Sequence, residues 1–152
     1  MFEPYLIQSD FTVAGFSYGA IKAFEYALTC KERIDTLQLF SPAFFQDRDA
    51  KFKKLQTLSF IKNKEAYCAH FLKNCAPTDL SPFFIQGTYE ELETLLNYTW
   101  DNTKLEHLCK RGTRIEVYLG ENDAIIHALT CKDFFIPFAT VYYFKKVGHI
   151  LQ

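Results

Sequence analysis

The residues with the clearest chemical potential in this sequence lie in the segment Gly-Phe-Ser-Tyr-Gly at positions 15–19. The serine stands between two glycines in the pattern G-x-S-x-G, which is typical of a nucleophile on a sharp turn from a strand into a helix. The glycines permit that turn without Cβ clashes, and the turn lifts the hydroxyl to the carboxyl end of a sheet. We therefore predict Ser17 as a nucleophile and the backbone N–H of Tyr18 as an oxyanion donor. An ordinary turn serine is the alternative.

A serine nucleophile needs a base, and the base needs a carboxylate that orients it. Enzymes that use this turn carry the three residues in the order serine, acid, histidine. Asp123 follows a predicted strand at 115–119, and His149 follows a predicted strand at 140–144. We predict Asp123 as the acid and His149 as the base. Glu121 is the nearest substitute for the acid, and an Asx-turn is the alternative role of Asp123.

The three remaining histidines fit the role of the base less well. His70 and His107 lie in the middle of the chain, and His127 follows Asp123 too closely. The histidines form no cluster with the spacing of metal ligands, and the predicted chemistry requires no metal. We therefore predict neither a metal nor a cofactor.

The elements that must position these residues are short and alternate along the chain. Apolar runs predict four strands, near residues 11–16, 36–40, 114–119 and 140–144. Apolar residues at helical spacing follow the first strand and precede the last one. Such an alternation of strands and helices is typical of a parallel sheet. Residues 43–111 differ from the flanking segments, because they are rich in charge and their apolar residues recur at helical spacing. The prediction is a single α/β domain over 1–152, with a mostly parallel sheet interrupted by a helical lid insertion at 43–111.

Local signals mark the helices of this insertion. Phe52, Leu55 and Leu58 form one apolar stripe at helical spacing. Residues 88–91, Thr-Tyr-Glu-Glu, match a capping box and predict the start of a helix. Gly112 is predicted to end the last helix before the third strand.

The composition narrows the class of protein further. The 152 residues are 49% hydrophobic and carry a net charge of −1, which predicts a globular chain with no nucleic-acid partner. Five cysteines form no Cys-x-x-Cys pair, which favours reduced thiols over a disulfide framework. The first residues, Met-Phe-Glu-Pro-Tyr, carry neither the basic region nor the long apolar run of a secretory signal, and no run approaches the length of a membrane span. The predicted location is the cytoplasm, without a membrane partner.

The sequence resembles the α/β-hydrolases along its whole length. More narrowly, it is similar to the BioV-type pimelyl-[acyl-carrier protein] methyl ester esterases. The similarity lies in the turn and its helix, in a Leu-Phe-Ser-Pro segment, in two stretches of the insertion and at the C-terminus: residues 15–23, 39–42, 52–56, 90–93 and 148–152. The resemblance implies a minimal α/β-hydrolase that hydrolyses the methyl ester of a carrier-bound pimeloyl chain in biotin synthesis. It also implies an acyl carrier protein as the partner that presents the substrate.

Charge within the insertion is divided by sign. Residues 44–76 hold seven basic and three acidic side chains, a balance of +4, whereas residues 79–106 hold one basic and six acidic, a balance of −5. We predict that the first stretch docks the acidic carrier through a set of basic residues: Arg48, Lys51, Lys53, Lys54, Lys62 and Lys64. Two solvated helix faces of opposite sign are the alternative. For the whole chain, the alternatives are a generic carboxylesterase or thioesterase, and a non-catalytic binding protein with the same fold.

The segment before the first strand departs from the family pattern. Residues 1–10 contain no glycine and suit a helix or loop better than a strand, whereas the family carries an upstream strand and a loop with a second oxyanion donor. We expect an in-frame start upstream of Met1 that adds about 15 to 25 residues, enough for one strand and its loop.

Overall fold

The computed structural model describes residues 2–76 and 78–152. Its sheet has four strands, β1 (Thr12–Phe16), β2 (Thr36–Phe40), β3 (Arg114–Gly120) and β4 (Thr140–Phe144). They lie in the order β1-β2-β3-β4, and every neighbouring pair is parallel. In the register, Phe16 is opposite Phe40 and Phe40 is opposite Tyr118, so β1 and β2 end level with each other, and β3 continues to Gly120 at the same edge of the sheet. This common edge is where the predicted site residues come together.

Six α-helices connect the strands within the described residues. They are α1 (Tyr18–Thr29), α2 (Ala50–Lys62), α3 (Lys64–Cys75), α4 (Tyr89–Asn97), α5 (Asn102–Lys110) and α6 (Ala128–Phe135), with one turn of 3-10 helix at Ser81–Phe83. Short polar side chains cap four of them by accepting the backbone N–H three residues on: Asp49, Asn63, Thr88 and Asp101. Thr88 and Glu91 form the predicted capping box. Gly112, at φ 89°, follows α5 as predicted.

The main core lies on one face of the sheet. Leu37 and Leu39 of β2 and Val117 of β3 are fully buried there, beneath α1, α5 and α6. Ala20, Ala23 and Ala27 let α1 pack closely on the strands. Trp100 joins the same core and donates its indole N–H to Ala43 O at 2.9 Å. Three helices on one face and parallel strands in sequence order confirm the predicted α/β class.

The opposite face is covered by the N-terminal segment, which has no strand among its described residues 2–10. Phe2 packs on Phe16 and Phe40, and Tyr5 packs on Tyr118. The buried amide of Gln38 accepts a hydrogen bond from Ile7 N and donates one to Tyr5 O. These contacts anchor a segment that has no secondary structure of its own. Strand β1 is the edge of the described sheet.

Four helices lie between β2 and β3, where the sequence predicts a helical insertion. Of the apolar stripe predicted for α2, Phe52 packs against the main core, but Leu55 and Leu58 are about half exposed. Thr57 and Phe60 are the buried residues of that helix. At the end of the segment, α5 packs against α1 and β3. In the described part of the chain, none of the helices is both long and apolar enough to cross a membrane.

Candidate active site

Ser17 lies at the predicted turn between β1 and α1 with an uncommon backbone conformation, φ 51° and ψ −116°. A non-glycine residue at positive φ is strained and is held there by its surroundings. The Ser17 N–H donates to Phe40 O at 2.9 Å, and Ser17 O accepts from Ala43 N at 3.2 Å. The neighbouring strand end therefore holds the serine backbone on both sides.

The two glycines of the turn have different roles. A Cβ on Gly15 would stand 2.2 Å from Gly19 O, which is a backbone clash, so the helix can follow the strand this closely only if residue 15 is glycine. A Cβ on Gly19 would meet nothing within 4 Å. The G-x-S-x-G pattern by itself does not distinguish the glycine that the packing requires from the one that it does not.

We expect Gly15→Ala to lower the free energy of unfolding by about 3 kcal/mol or more, because backbone must move to admit the methyl group. Gly19→Ala is the matched control and is expected to raise stability by up to about 1 kcal/mol, since alanine is the better helix former. Chemical denaturation of both variants measures this. Equal losses from the two substitutions would contradict the close approach at Gly15.

The structure brings Ser17, His149 and Asp123 into one chain of hydrogen bonds. His149 Nε2 lies 3.1 Å from Ser17 Oγ, and His149 Nδ1 lies 2.7 Å from Asp123 Oδ2. A carboxylate only accepts, so Nδ1 carries the proton and Nε2 is free to accept the serine hydroxyl. The side chains of His149 and Asp123 are fully buried, and the ring of Phe16 packs against the imidazole at 5.1 Å. This geometry can remove the proton of Ser17 and stabilise the imidazolium that results.

Asp123 makes the contacts of both arrangements that its sequence position suggests, a turn and a hydrogen bond to His149. Its Oδ1 accepts the backbone N–H groups of Ile125 and Ile126, at 2.8 and 3.0 Å, which is an Asx-type turn. The other oxygen, Oδ2, faces His149. The turn therefore orients the carboxylate toward the imidazole. Glu121 is exposed and accepts instead from Lys146 N at 3.2 Å.

The backbone N–H of Tyr18 is the first of helix α1. The first N–H groups of a helix have no partner within it, and the helix dipole favours negative charge at this end. The position therefore suits a group that stabilises an oxyanion on a substrate attacked by Ser17.

One glycine, to which the sequence analysis assigned no role, lets the His149 loop approach the sheet. A Cβ on Gly120 would stand 2.3 Å from Gly148 O, so only glycine at the end of β3 admits this loop. Asn122 N donates to Val147 O at 2.9 Å and joins the loops of the acid and the histidine. The signal is present in the sequence, as a glycine directly after the predicted strand at 115–119 and three residues before Asp123.

The other histidines lie apart from Ser17. His127 Nδ1 is 2.7 Å from Asp47 Oδ2, and His70 bonds Asn74 on α3. Among residues 2–76 and 78–152, no three side chains of histidine, cysteine, aspartate or glutamate are grouped to hold a metal ion. Burial, with the charge of Asp123 adding to it, raises the pKa of Cys75 to about 12, so this thiol is protonated at neutral pH.

The six basic residues predicted to dock a carrier lie on or beside α2 and α3. Lys51, Lys54 and Lys62 are exposed, and Arg48 stacks on Phe52 with its guanidinium 4.8 Å from the ring. The Lys64 ammonium lies 5.3 Å from the ring of Phe60. None of the six forms a salt bridge within the described part of the chain. We call these six residues the basic face.

Several solved structures share the fold of this chain. The bromoperoxidase of Bacillus anthracis superposes with a TM-score of 0.69 at 18% identity, over 92% of this chain and 60% of the other. An esterase from Exiguobacterium antarcticum superposes with a TM-score of 0.67 at 15% identity, over 91% of this chain and 59% of the other. A carboxylesterase of Nitrososphaera gargenis superposes with a TM-score of 0.64 at 19% identity, over 91% of this chain and 57% of the other. This chain thus spans under two thirds of the length of each. No family model matches the sequence, and no curated protein matches it.

The chain therefore has the α/β-hydrolase fold, in a minimal form with four described strands. The solved structures named above include an esterase and a carboxylesterase.

Proposed function

We propose that this protein is a serine hydrolase of carboxylic esters. The observation that carries the proposal is the hydrogen-bonded chain from Ser17 Oγ through His149 to Asp123, at 3.1 and 2.7 Å, on a strained turn. Structures of esterases with the same fold support it.

In the first half of the proposed reaction, His149 Nε2 takes the proton of Ser17 while Oγ attacks the ester carbonyl carbon. The carbonyl oxygen becomes an oxyanion that accepts a hydrogen bond from the Tyr18 N–H. The carbon–oxygen bond to the alcohol then breaks, and His149 gives its proton to the leaving alcohol. Ser17 is left as an acyl ester.

In the second half, His149 takes a proton from water, and the resulting hydroxide attacks the acyl carbonyl. Collapse of this intermediate returns the proton to Ser17 and releases the carboxylic acid. Asp123 stays ionised throughout and holds the imidazole in the required tautomer. A fluorophosphonate probe tests the proposal directly, because it labels only an activated serine. Labelling at Ser17 is expected, and an unlabelled chain would instead support a binding protein that retains only the fold.

We further propose that the ester is the methyl ester of a pimeloyl chain on an acyl carrier protein, as the family resemblance implies, and that the reaction occurs in the cytoplasm. The five free cysteines support a reducing compartment. The products would be methanol and the free carboxylate at the end of the acyl chain, in biotin synthesis.

The surface of α2 supports docking of an acidic partner. Leu55, Leu58 and Ile61 expose 52%, 50% and 64% of their surface between the lysines of the basic face. A groove of about 550 Å³ lies between α2 and α4, lined in part by Lys53, Lys54 and Leu58, with Glu93 on its far wall. Exposed apolar residues among positive charges suit a partner helix that carries acidic and apolar side chains together.

Reversing Lys51, Lys53 and Lys54 to glutamate is expected to raise KM for the carrier-bound ester about tenfold or more and to flatten its salt dependence, because charges around a docking surface chiefly set the association rate. Hydrolysis of p-nitrophenyl butyrate should change little. The control reverses Lys31, Arg33 and Lys110, which are exposed at the other end of the sheet and carry the same charge. Arg33 and Lys110 pair with Asp35 and Glu106, so this variant also shows the effect of losing ion pairs. Equal losses on both esters, or equal effects of the two triple variants, would contradict docking at the basic face.

A further inference from the structure

Ser41 is a buried hydroxyl directly after strand β2, in the Leu-Phe-Ser-Pro segment that sequence analysis singled out. Its Oγ–H donates to the backbone carbonyl of His149 at 2.6 Å, a contact between residues 108 positions apart. Its backbone N–H donates to Tyr118 O at 2.8 Å, in the neighbouring strand β3 close to its carboxyl end. Ser41 thus connects two strand ends to the residue proposed as the base.

The backbone at Ser41 is strained as well. Its φ is 38°, which non-glycine residues rarely adopt, and the proline that follows restricts it further. Such a conformation persists where the surrounding structure holds it, and strain of this kind clusters at functional sites. The only other residues with positive φ that share this sheet edge in the described chain are Ser17 itself and two in the loop around His149, Lys146 and Leu151.

The same short segment holds the nucleophile. Phe40 O accepts the Ser17 N–H, and the Ala43 N–H donates to Ser17 O. Residues 40–43 therefore bind the backbone of Ser17 on one side and the backbone of His149 on the other. The segment thus joins the backbones of two residues that are 132 positions apart in sequence and whose side chains, Ser17 Oγ and His149 Nε2, lie 3.1 Å from each other.

We propose that Ser41 is a positioning residue for His149, an inference that rests on the proposed hydrolase function. Its hydroxyl fixes the peptide plane of His149 and, through it, the direction in which the imidazole projects toward Ser17. Loss of that hydrogen bond lets the loop at 147–151 shift. A displacement of about 1 Å at a reacting group costs on the order of 10²-fold in rate.

The test compares Ser41→Ala and Ser41→Gly with Thr113→Val. Both Ser41 variants lose the hydroxyl, but glycine also relieves the strain at positive φ and is expected to fold more stably than alanine. Thr113 is the matched control, because its buried hydroxyl donates to the distant carbonyl of Ile34 at 2.9 Å, at the opposite end of the sheet. With p-nitrophenyl butyrate, both Ser41 variants should lose about 10- to 100-fold in kcat with KM nearly unchanged. Thr113→Val should keep its kcat despite a lower denaturation midpoint.

Several results would overturn this role. If Ser41→Gly regains full kcat together with stability, or if neither Ser41 variant folds, the hydroxyl serves folding alone. A kcat loss in Thr113→Val equal to that in the Ser41 variants would make the effect a general consequence of destabilisation. Ser17→Ala, measured alongside, separates the two proposals. Full activity of Ser17→Ala refutes the hydrolase mechanism itself, whereas an inactive Ser17→Ala beside a fully active Ser41→Ala refutes only the positioning role.

Discussion

Ser17→Ala and His149→Ala are each expected to lower kcat/KM for a soluble ester by about 10⁴-fold or more, because the members of a triad act as a unit. Alanine at position 17 removes the attacking oxygen, and alanine at position 149 removes the only imidazole within hydrogen-bond distance of that oxygen in the described chain. Residual turnover above the uncatalysed rate would come from the Tyr18 N–H and substrate binding. Steady-state kinetics on p-nitrophenyl butyrate measures the loss.

The fold should survive both substitutions. Alanine at position 17 is smaller than serine and adds no steric contact. The Ser17→Ala protein should therefore unfold cooperatively in chemical denaturation, as the wild type does. His149→Ala leaves a cavity beside Phe16 and should cost more stability than Ser17→Ala. Wild-type turnover by a folded Ser17→Ala protein would show that the proposed nucleophile is wrong.

Asp123→Asn is expected to lower kcat by about 10⁴-fold, although it changes one atom. The two backbone N–H groups of Ile125 and Ile126 already point at Oδ1, so the carbonyl oxygen of an asparagine must take that place. Its NH₂ group then faces His149 Nδ1 and donates to it. The imidazole is forced into the tautomer with the proton on Nε2, which cannot accept the proton of Ser17.

Glu121→Gln is the control for this substitution, since Glu121 is the other acid of the same loop and bonds only the Lys146 backbone in the described contacts. Its kcat should match that of the wild type. The position of the Nδ1 proton can be followed by the downfield NMR signal of the imidazole, which Asp123→Asn should abolish. If Glu121→Gln were the more damaging change, the acid would have been misassigned.

Local features of this fold were predictable because neighbouring residues determine them. The close approach of strand and helix at the Gly-Phe-Ser-Tyr-Gly turn depends on Gly15, four positions from Gly19, and the capping box of α4 joins residues three apart. The four strands follow from short apolar runs that are covered on at least one face. Interactions of such short range are readable from spacing alone.

The tertiary structure decided what depends on distant contacts. The sequence left Asp123 and Glu121 as alternatives, and only the hydrogen bond from His149 Nδ1 to Asp123 Oδ2 shows which carboxylate faces the imidazole. The apolar residues of α2 have the spacing of a helix, as the sequence indicates. Which side of that helix is buried depends on the elements packed against it, and Leu55 and Leu58 are exposed. The hydrogen bond from Ser41 to His149 spans 108 positions and has no periodic signal. Parallel strands bring residues that are distant in sequence to one edge of the sheet. The sequence by itself determined the strands, the helices and the types of side chain that follow them. The packing of the strand ends determined which of those side chains meet.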